Sequence, residues 1–402
     1  MGGVPAPVRV LVVTHTAELG GAESALLRLL RVTDPGTFEV EGVVLEAGPL
    51  VERLRSTGAE VHELRAGDVT RVTRTATVGS AGAVLRNGRD AARVAARLRR
   101  LIRRRRPDLV VANSLKSAVM VSLAAPAART PWVWHLHDRV AEDYLPGPVA
   151  TALRALARLG PRRVVVNSHA TAATLGAGAQ RKVVVAYPGL AAEAFDAPAG
   201  GRQGGPVGIV GRVSSTKGQR EFLAAAETVG RQRPDVSFRV VGAALFEDAV
   251  VEEELRAATA ASSVADRVAW TGWVDDPAGQ LRDLSLLVHA SPVPEPFGQV
   301  VTEAMAAGVP VVATEAGGVP EILDPDGSAQ GVADGVRRSA TGLLVRPGDA
   351  DALARAIVWA LDHPEVCRDA AARARDDARR RFGIEVTRDA VARAWTAAVR
   401  PG

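Results

Sequence analysis

Two glutamates, Glu295 and Glu303, stand eight positions apart in the run Pro294-Glu295-Pro296-Phe297-Gly298-Gln299-Val300-Val301-Thr302-Glu303-Ala304-Met305-Ala306-Ala307-Gly308-Val309-Pro310-Val311-Val312-Ala313. Ionised carboxylates accept hydrogen bonds and donate none, so such a pair answers hydroxyl groups on a ligand. Eight residues of helix advance slightly more than two turns. If the run opens from a loop into a helix, Glu295 precedes the helix N-terminus. Glu303 then lies on the helix body, roughly on the same side. The backbone N–H groups of Phe297, Gly298 and Gln299 become donors at a helix start, which favours an anion. Such a site takes a long ligand with hydroxyls at both ends and a negative charge between them. Two solvated helix glutamates would show the same bare spacing. The Phe297-Gly298 pair after the first glutamate and the Ala304-Met305-Ala306 to Val312 continuation after the second make the run distinctive.

Other groups with chemical potential are fewer. In Gly211-Arg212-Val213-Ser214-Ser215-Thr216-Lys217-Gly218, two cations flank a polar loop after a short apolar run. They suit a diphosphate, Arg212 as a planar fork and Lys217 as a point charge. A solvated basic loop is the plainer alternative. Gly20-Gly21-Ala22-Glu23 precedes a helix, and Gly21 would let backbone approach a bulky anion, although a glycine turn needs no ligand. No Gly-Lys-Ser/Thr follows, so this is not a nucleoside-triphosphate loop. In Trp132-Val133-Trp134-His135-Leu136-His137, strand alternation puts both histidines on one face. A metal there would need a third ligand at suitable spacing, and none is visible. Asp324-Pro325-Asp326 matches an Asp-x-Asp metal pattern but reads as a Pro/Gly turn. Gly317-Gly318 would let backbone pass near a ligand, with Glu321 fixing the loop.

Together these runs resemble the retaining glycosyltransferases of family four, and the resemblance is densest from Val207 to Val345. It implies the GT-B architecture: α/β, with two Rossmann-like parallel-sheet domains facing a cleft and a C-terminal helix crossing back onto the first. It also implies sugar transfer from a nucleotide-diphosphate donor, a UDP-sugar ahead of a GDP-sugar, to an unidentified hydroxyl acceptor, either a small molecule or lipid-linked. The leaving phosphate oxygen would take the acceptor proton on the same face. Carried over residue by residue, Arg212 and Lys217 hold the diphosphate, Glu303 the ribose hydroxyls and Glu295 a donor-sugar hydroxyl. Phe297, Gly298 and Gln299 supply N–H groups, Gly21 lies by the diphosphate, and His137 points at the donor sugar. No metal and no other cofactor are implied. A non-catalytic nucleotide-sugar-binding subunit and a GT-B sugar-nucleotide epimerase are the alternatives. A dinucleotide oxidoreductase is disfavoured, since neither half has Gly-x-Gly-x-x-Gly after its first strand.

The elements that must position these residues are legible as alternation. Val8–Val13, Phe38–Leu45, Asp108–Ala112, Trp132–His135, Val164–Asn167 and Val183–Ala186 read as strands of a first half, with helices between them. Ala197–Pro206, rich in Gly and Pro, reads as a linker. A second alternation follows, with strands at Val207–Val210, Phe238–Val241, Val268–Thr271, Leu286–His289, Val311–Thr314 and Leu343–Val345. This predicts one α/β domain over 1–196, a linker over 197–206 and a second α/β domain over 207–380; the resemblance implies that the first is the acceptor side and the second binds the nucleotide-sugar. The resemblance implies that a C-terminal helix over 381–402 crosses back onto the first domain, with Trp395 as its expected anchor. Ligands of such sheets bind beyond the carboxyl ends of the strands.

At 402 residues and 47% hydrophobic, the chain suits two cores. The single cysteine, Cys367, excludes an internal disulfide and fits a reducing compartment. The first residues carry no signal-peptide pattern, and a cytoplasmic location is expected. Residues 1–200 carry 27 basic and 17 acidic side chains, whereas the remainder carry 23 and 28. The basic excess gathers in Arg86–Arg106, where Val94, Leu98, Leu101 and Ile102 share one helical face. That segment reads either as an ordinary amphipathic helix or as a patch for anionic lipid on the inner face of a membrane. Nucleic acid is disfavoured because no aromatic residue interleaves with the arginines. The expected acceptor region, Glu63 to Arg89, matches no recognisable pattern.

Overall fold

The computed structural model describes residues 6–64, 81–244 and 248–400, with side chains omitted for 81–90. The chain divides into two compact units, 1–189 with 384–402, and 190–383. Most of the expected acceptor region lies outside the described residues.

Unit 1 carries β1 (Val8–Thr14), β2 (Phe38–Val44), β3 (Glu60–Glu63), β4 (Leu109–Ala112), β5 (Trp132–Leu136), β6 (Arg163–Val166) and β7 (Val183–Val185). They form one parallel sheet in the order β3-β2-β1-β4-β5-β6-β7. Side chains alternate between faces along each strand. Leu11, Val13, Val110, Ala112, Trp132, Trp134 and Leu136 bury against one helical layer. Val10, Val12, Leu109, Val111, Val133 and Val165 bury against the other. The strands are therefore near-continuous apolar runs, as a sheet covered on both faces requires. The helix Ala81–Arg105 buries Val94, Leu98, Leu101 and Ile102, the apolar face expected from spacing. Near its end, Arg105 bonds Glu41 through Nε and Nη2 at 2.8 and 2.9 Å.

In unit 1 the strand β3 and one helix escaped the sequence reading. β3 is four residues long with glutamate at both ends, a charged edge strand without a clear alternation signal. The helix Leu115–Ala124 buries Ala118, Met120, Val121 and Ala124 and has little amphipathic contrast.

The C-terminal helix Ile384–Val399 completes unit 1. Its Trp395 is fully buried, meets Phe38 edge-on at 5.3 Å and donates from Nε1 to His135 Nε2 at 3.0 Å. Burial pushes the His135 imidazole down to about 3, so it stays neutral and can accept that bond. Trp395→Phe keeps most of the ring contact and leaves His135 Nε2 without its donor. Unfolding in urea should show a loss of about 1–3 kcal/mol. An unchanged midpoint would mean that the bond contributes nothing.

Unit 2 carries β8 (Val207–Val210), β9 (Phe238–Val241), β10 (Val268–Gly272), β11 (Leu286–His289), β12 (Val311–Thr314), β13 (Gln330–Ala333), β14 (Val336–Arg338) and β15 (Leu343–Val345). Their order is β10-β9-β8-β11-β12-β15-β14-β13. The strands expected from sequence pair in parallel, but β13 and β14 add an antiparallel edge hairpin. The sequence reading missed this hairpin because Gln330–Ala333 is mostly exposed and carries no apolar alternation. Among the described residues, no helix is long and apolar enough to cross a membrane.

Candidate active site

In unit 2 the strand order reverses between β8 and β11, which opens a crevice above their carboxyl ends. The loop Gly211–Gly218 leaves β8, and the loop Ala290–Gly298 leaves β11. Lys217 Nζ on the first meets Glu295 Oε1 on the second at 2.6 Å. Two groups singled out from segments 78 residues apart are thus in direct contact.

The surroundings explain why this contact persists. Gly218 has φ +81°, and a Cβ there would lie 2.0 Å from the Ala290 carbonyl oxygen, so the loops touch backbone to backbone. Buried Gln219 braces the first loop by donating from Nε2 to the Arg212 carbonyl at 3.0 Å. Buried Ser291 holds the second, with its Oγ 2.6 Å from the Thr216 carbonyl and 2.9 Å from Glu295 Oε1. Gly317 and Gly318 press on the glutamate loop: a Cβ on Gly317 would lie 1.9 Å from the Glu295 carbonyl oxygen, and Gly318 N–H donates to that oxygen at 3.0 Å. Phe297 is an internal anchor, buried and edge-on to Phe382 at 5.6 Å. Gly298, at φ +109°, turns the chain into the helix Gln299–Ala307, and no side chain caps that helix. No side chain caps the helix behind Gly218 either. Two helix starts thus direct backbone donors and positive dipole ends to the carboxyl edge of the sheet.

Glu295 is buried, and burial alone would raise its pKa. The charge of Lys217, then that of His289, together with the hydrogen bond from Lys217, outweigh this and hold the carboxyl well below the usual range. His289 closes β11, with Nδ1 3.2 Å from Thr314 Oγ1 and Nε2 3.5 Å from Glu295 Oε2. Neither His289 nor Ser291 was singled out from sequence, although both sit within six residues of Glu295. Arg212 does not join the pair. It is half-exposed, with Nε 3.8 Å from Asp248 Oδ2. Glu303 lies half-buried on the helix body, and Gln299 is half-buried at its start. Asp324 spends its carboxylate on the N–H groups of Ser328 and Ala329 at 2.8 and 3.0 Å, a turn as expected.

In unit 1, His137 follows β5 and places Nε2 3.0 Å from Asn113 Oδ1. Burial pushes its imidazole down to about 4. Gly21 opens the helix Gly21–Val32 and is exposed. Glu23, at the third helical position, turns back to accept from the N–H of Gly20, the acid half of a capping box. Its carboxyl is pushed up to about 7, chiefly by burial, with the charge of Asp138 adding to it. An acid whose folded pKa is raised costs nothing below its unfolded value, and its cost grows as pH rises toward the folded value. Unit 1 should therefore lose up to about 3 kcal/mol between pH 4.5 and 7 on this account. Glu23→Gln should flatten that fall in a pH series of urea unfolding; an unchanged slope would refute the burial argument.

Glu41, Glu60 and His62 could between them hold a metal, but Arg105 already bonds both glutamates and His62 Nε2 lies 2.8 Å from Glu41 Oε2.

Known families match both units. The model described as Glycosyltransferase Family 4 matches residues 19–194, and that described as Glycosyl transferases group 1 matches residues 205–363. The chain belongs to glycosyltransferase family four. As a member it is a glycosyltransferase of a retaining family that draws on a nucleotide-sugar donor. It is 29% identical over 295 residues to a 2-deoxystreptamine glucosyltransferase of Streptomyces kanamyceticus, covering 65% of this chain and 70% of that one. It is 34% identical over 189 residues to a 2-deoxystreptamine N-acetyl-D-glucosaminyltransferase of Streptomyces fradiae, covering 46% of this chain but only 40% of that one. Among solved structures, Anabaena HepE (Alr3699) in complex with UDP and glucose matches with a TM-score of 0.78 at 24% identity, over 97% of this chain and 99% of that one. That likeness establishes the GT-B type of fold and nothing finer.

Proposed function

We propose that this family-four enzyme transfers a hexose from a UDP-sugar to a hydroxyl acceptor with retention and without a metal, unit 2 binding the donor and unit 1 the acceptor. The Lys217–Glu295 contact above the β8/β11 switch point carries the reading. In it, Lys217 and Arg212 neutralise charge on the departing diphosphate, and Glu303 accepts from the ribose hydroxyls. Glu295 accepts from a hydroxyl of the transferred sugar, and the N–H groups of Phe297, Gly298 and Gln299 serve neighbouring oxygens. His137 is assigned a contact with that sugar and Gly21 one with the diphosphate. The leaving phosphate oxygen takes the acceptor proton, so the protein supplies position and charge. The preference for uracil is supported by the UDP bound in HepE.

Thermal unfolding with UDP, GDP and ADP, each with a chelator present, tests the donor. UDP at a hundredfold excess over its Kd should add about 2.7 kcal/mol, with smaller shifts for the others. Stabilisation by UDP that required a divalent cation would overturn metal independence. A larger shift with GDP would overturn the choice of base.

A further inference from the structure

Glu295 offers two carboxylate oxygens, and different groups meet them. Oε1 takes the Lys217 ammonium at 2.6 Å. Ser291 Oγ also lies 2.9 Å from Oε1, but the Thr216 carbonyl at 2.6 Å competes for its one proton. Among the described residues, Oε2 is faced by His289 Nε2 alone, at 3.5 Å. That nitrogen is buried and has no hydrogen-bond partner at this distance. A buried polar atom left unmet calls for a reason.

The surroundings decide where the imidazole carries hydrogen. An ionised carboxylate only accepts. A bare Nε2 would set lone pair against lone pair, so Nε2 is the protonated nitrogen. Nδ1 lies 3.2 Å from Thr314 Oγ1, and a hydroxyl can give or take a hydrogen bond. Thr314 therefore donates to Nδ1 of a neutral ring or accepts from Nδ1–H of a charged one. Either way Nε2–H is aimed at Glu295. His289 and Thr314 are buried and close the paired strands β11 and β12, so the ring stands on the sheet itself.

We propose that His289 is a positioning residue: it takes over the Glu295 carboxylate when the donor diphosphate draws the Lys217 ammonium away. The inference rests on the proposed function for what Lys217 and Glu295 bind. One ammonium cannot serve a carboxylate and a diphosphate at full strength, and the diphosphate carries more charge. As Lys217 turns to phosphate, Glu295 stays buried with its nearest cation gone, which is costly unless another donor closes in. From 3.5 Å, Nε2–H has only about 0.5 Å to gain to reach an ordinary hydrogen bond. The exchange keeps Glu295 ionised and aimed at a sugar hydroxyl while Lys217 acts on the leaving group. It changes a hydrogen-bond partner and moves no proton.

The test uses the full chain with 15N-labelled histidine, the His289 ring signals being assigned by their loss in His289→Gln. Without ligand the ring should carry hydrogen on Nε2; a bare Nε2 would overturn the proposal. Saturating UDP should move the Nε2–H proton signal downfield as the bond shortens. Lys217→Ala should move it the same way with no nucleotide present. Calorimetry gives the second readout. UDP should bind His289→Leu more weakly by about tenfold or more, since a hydrogen bond to a charged group is lost. His289→Gln, whose amide N–H reaches toward the place of Nε2–H, should restore most of that affinity. In a Glu295→Gln background, His289→Leu should change UDP affinity by less than about twofold, because no charge is left to strand. Equal losses in both backgrounds would overturn the proposal, since His289 would then act by packing or on the nucleotide itself. So would an Nε2–H signal unmoved by bound UDP or by Lys217→Ala. A parent that binds no UDP would overturn the donor reading, and the signal in Lys217→Ala would still decide the part of His289.

Discussion

Lys217→Ala should lower kcat with UDP-glucose by on the order of 10²-fold or more, the scale of losing one preorganised electrostatic partner of the transition state. The ammonium lies 2.6 Å from Glu295 on a loop that Gln219 holds from behind, so it is positioned before any ligand arrives. Charge on the departing diphosphate grows as the sugar bond breaks, and a cation fixed there acts more on the transition state than on the bound substrate. The substitution also strands a buried carboxylate, which lowers stability. Lys217→Ala combined with Glu295→Gln separates the two effects. The double variant should recover much of the stability and none of the turnover. Turnover that returned with stability would reduce Lys217 to a structural counter-ion.

Glu295→Gln is expected to lower kcat by about 10- to 100-fold, because a small misplacement of the reacting sugar is costly. The contact with Lys217 sharpens what else should follow. Removing the carboxylate charge frees the ammonium for phosphate, so bare UDP should bind the variant as well as or more tightly than it binds the parent. There is a stability signature too. The folded pKa of Glu295 is depressed, so its contribution is complete above the unfolded value near 4.5 and is lost as pH falls toward the folded value. Urea unfolding of the parent below pH 4.5 should show this acid limb, and the variant should lack that part of it. Weaker UDP binding by the variant would mean that Glu295 contacts the nucleotide rather than the sugar.

The fold was largely legible because most strands in both sheets are short β-branched runs separated by helices. What hid included β3 with its terminal glutamates, the β13–β14 hairpin, the helix Leu115–Ala124 with its weak amphipathic contrast, and the helix Ala249–Ala260, which buries only Leu255 and Thr259. The glutamate motif and the Arg/Lys loop were visible as residue types at fixed spacing. Their contact was not, because it joins segments 78 residues apart and depends on Gly218 and Gly317 letting backbones touch. The glycine pair Gly317-Gly318 illustrates the limit. Sequence says that backbone must come close to something, and only coordinates say that the something is the Glu295 loop. His289 and Ser291 were passed over for a similar reason: a histidine closing a strand and a serine in a loop carry no spacing signal of their own.

The central claim is that the crevice above β8 and β11, with Lys217 at its centre, receives the diphosphate of the donor. Calorimetric titration of UDP into the parent and into Lys217→Ala, at one pH and one salt concentration, tests it most directly. The account predicts saturable binding by the parent and a loss of about tenfold or more in the variant, since a charge-assisted hydrogen bond to phosphate contributes about 1.5–3 kcal/mol. Equal affinity in a folded variant would contradict it.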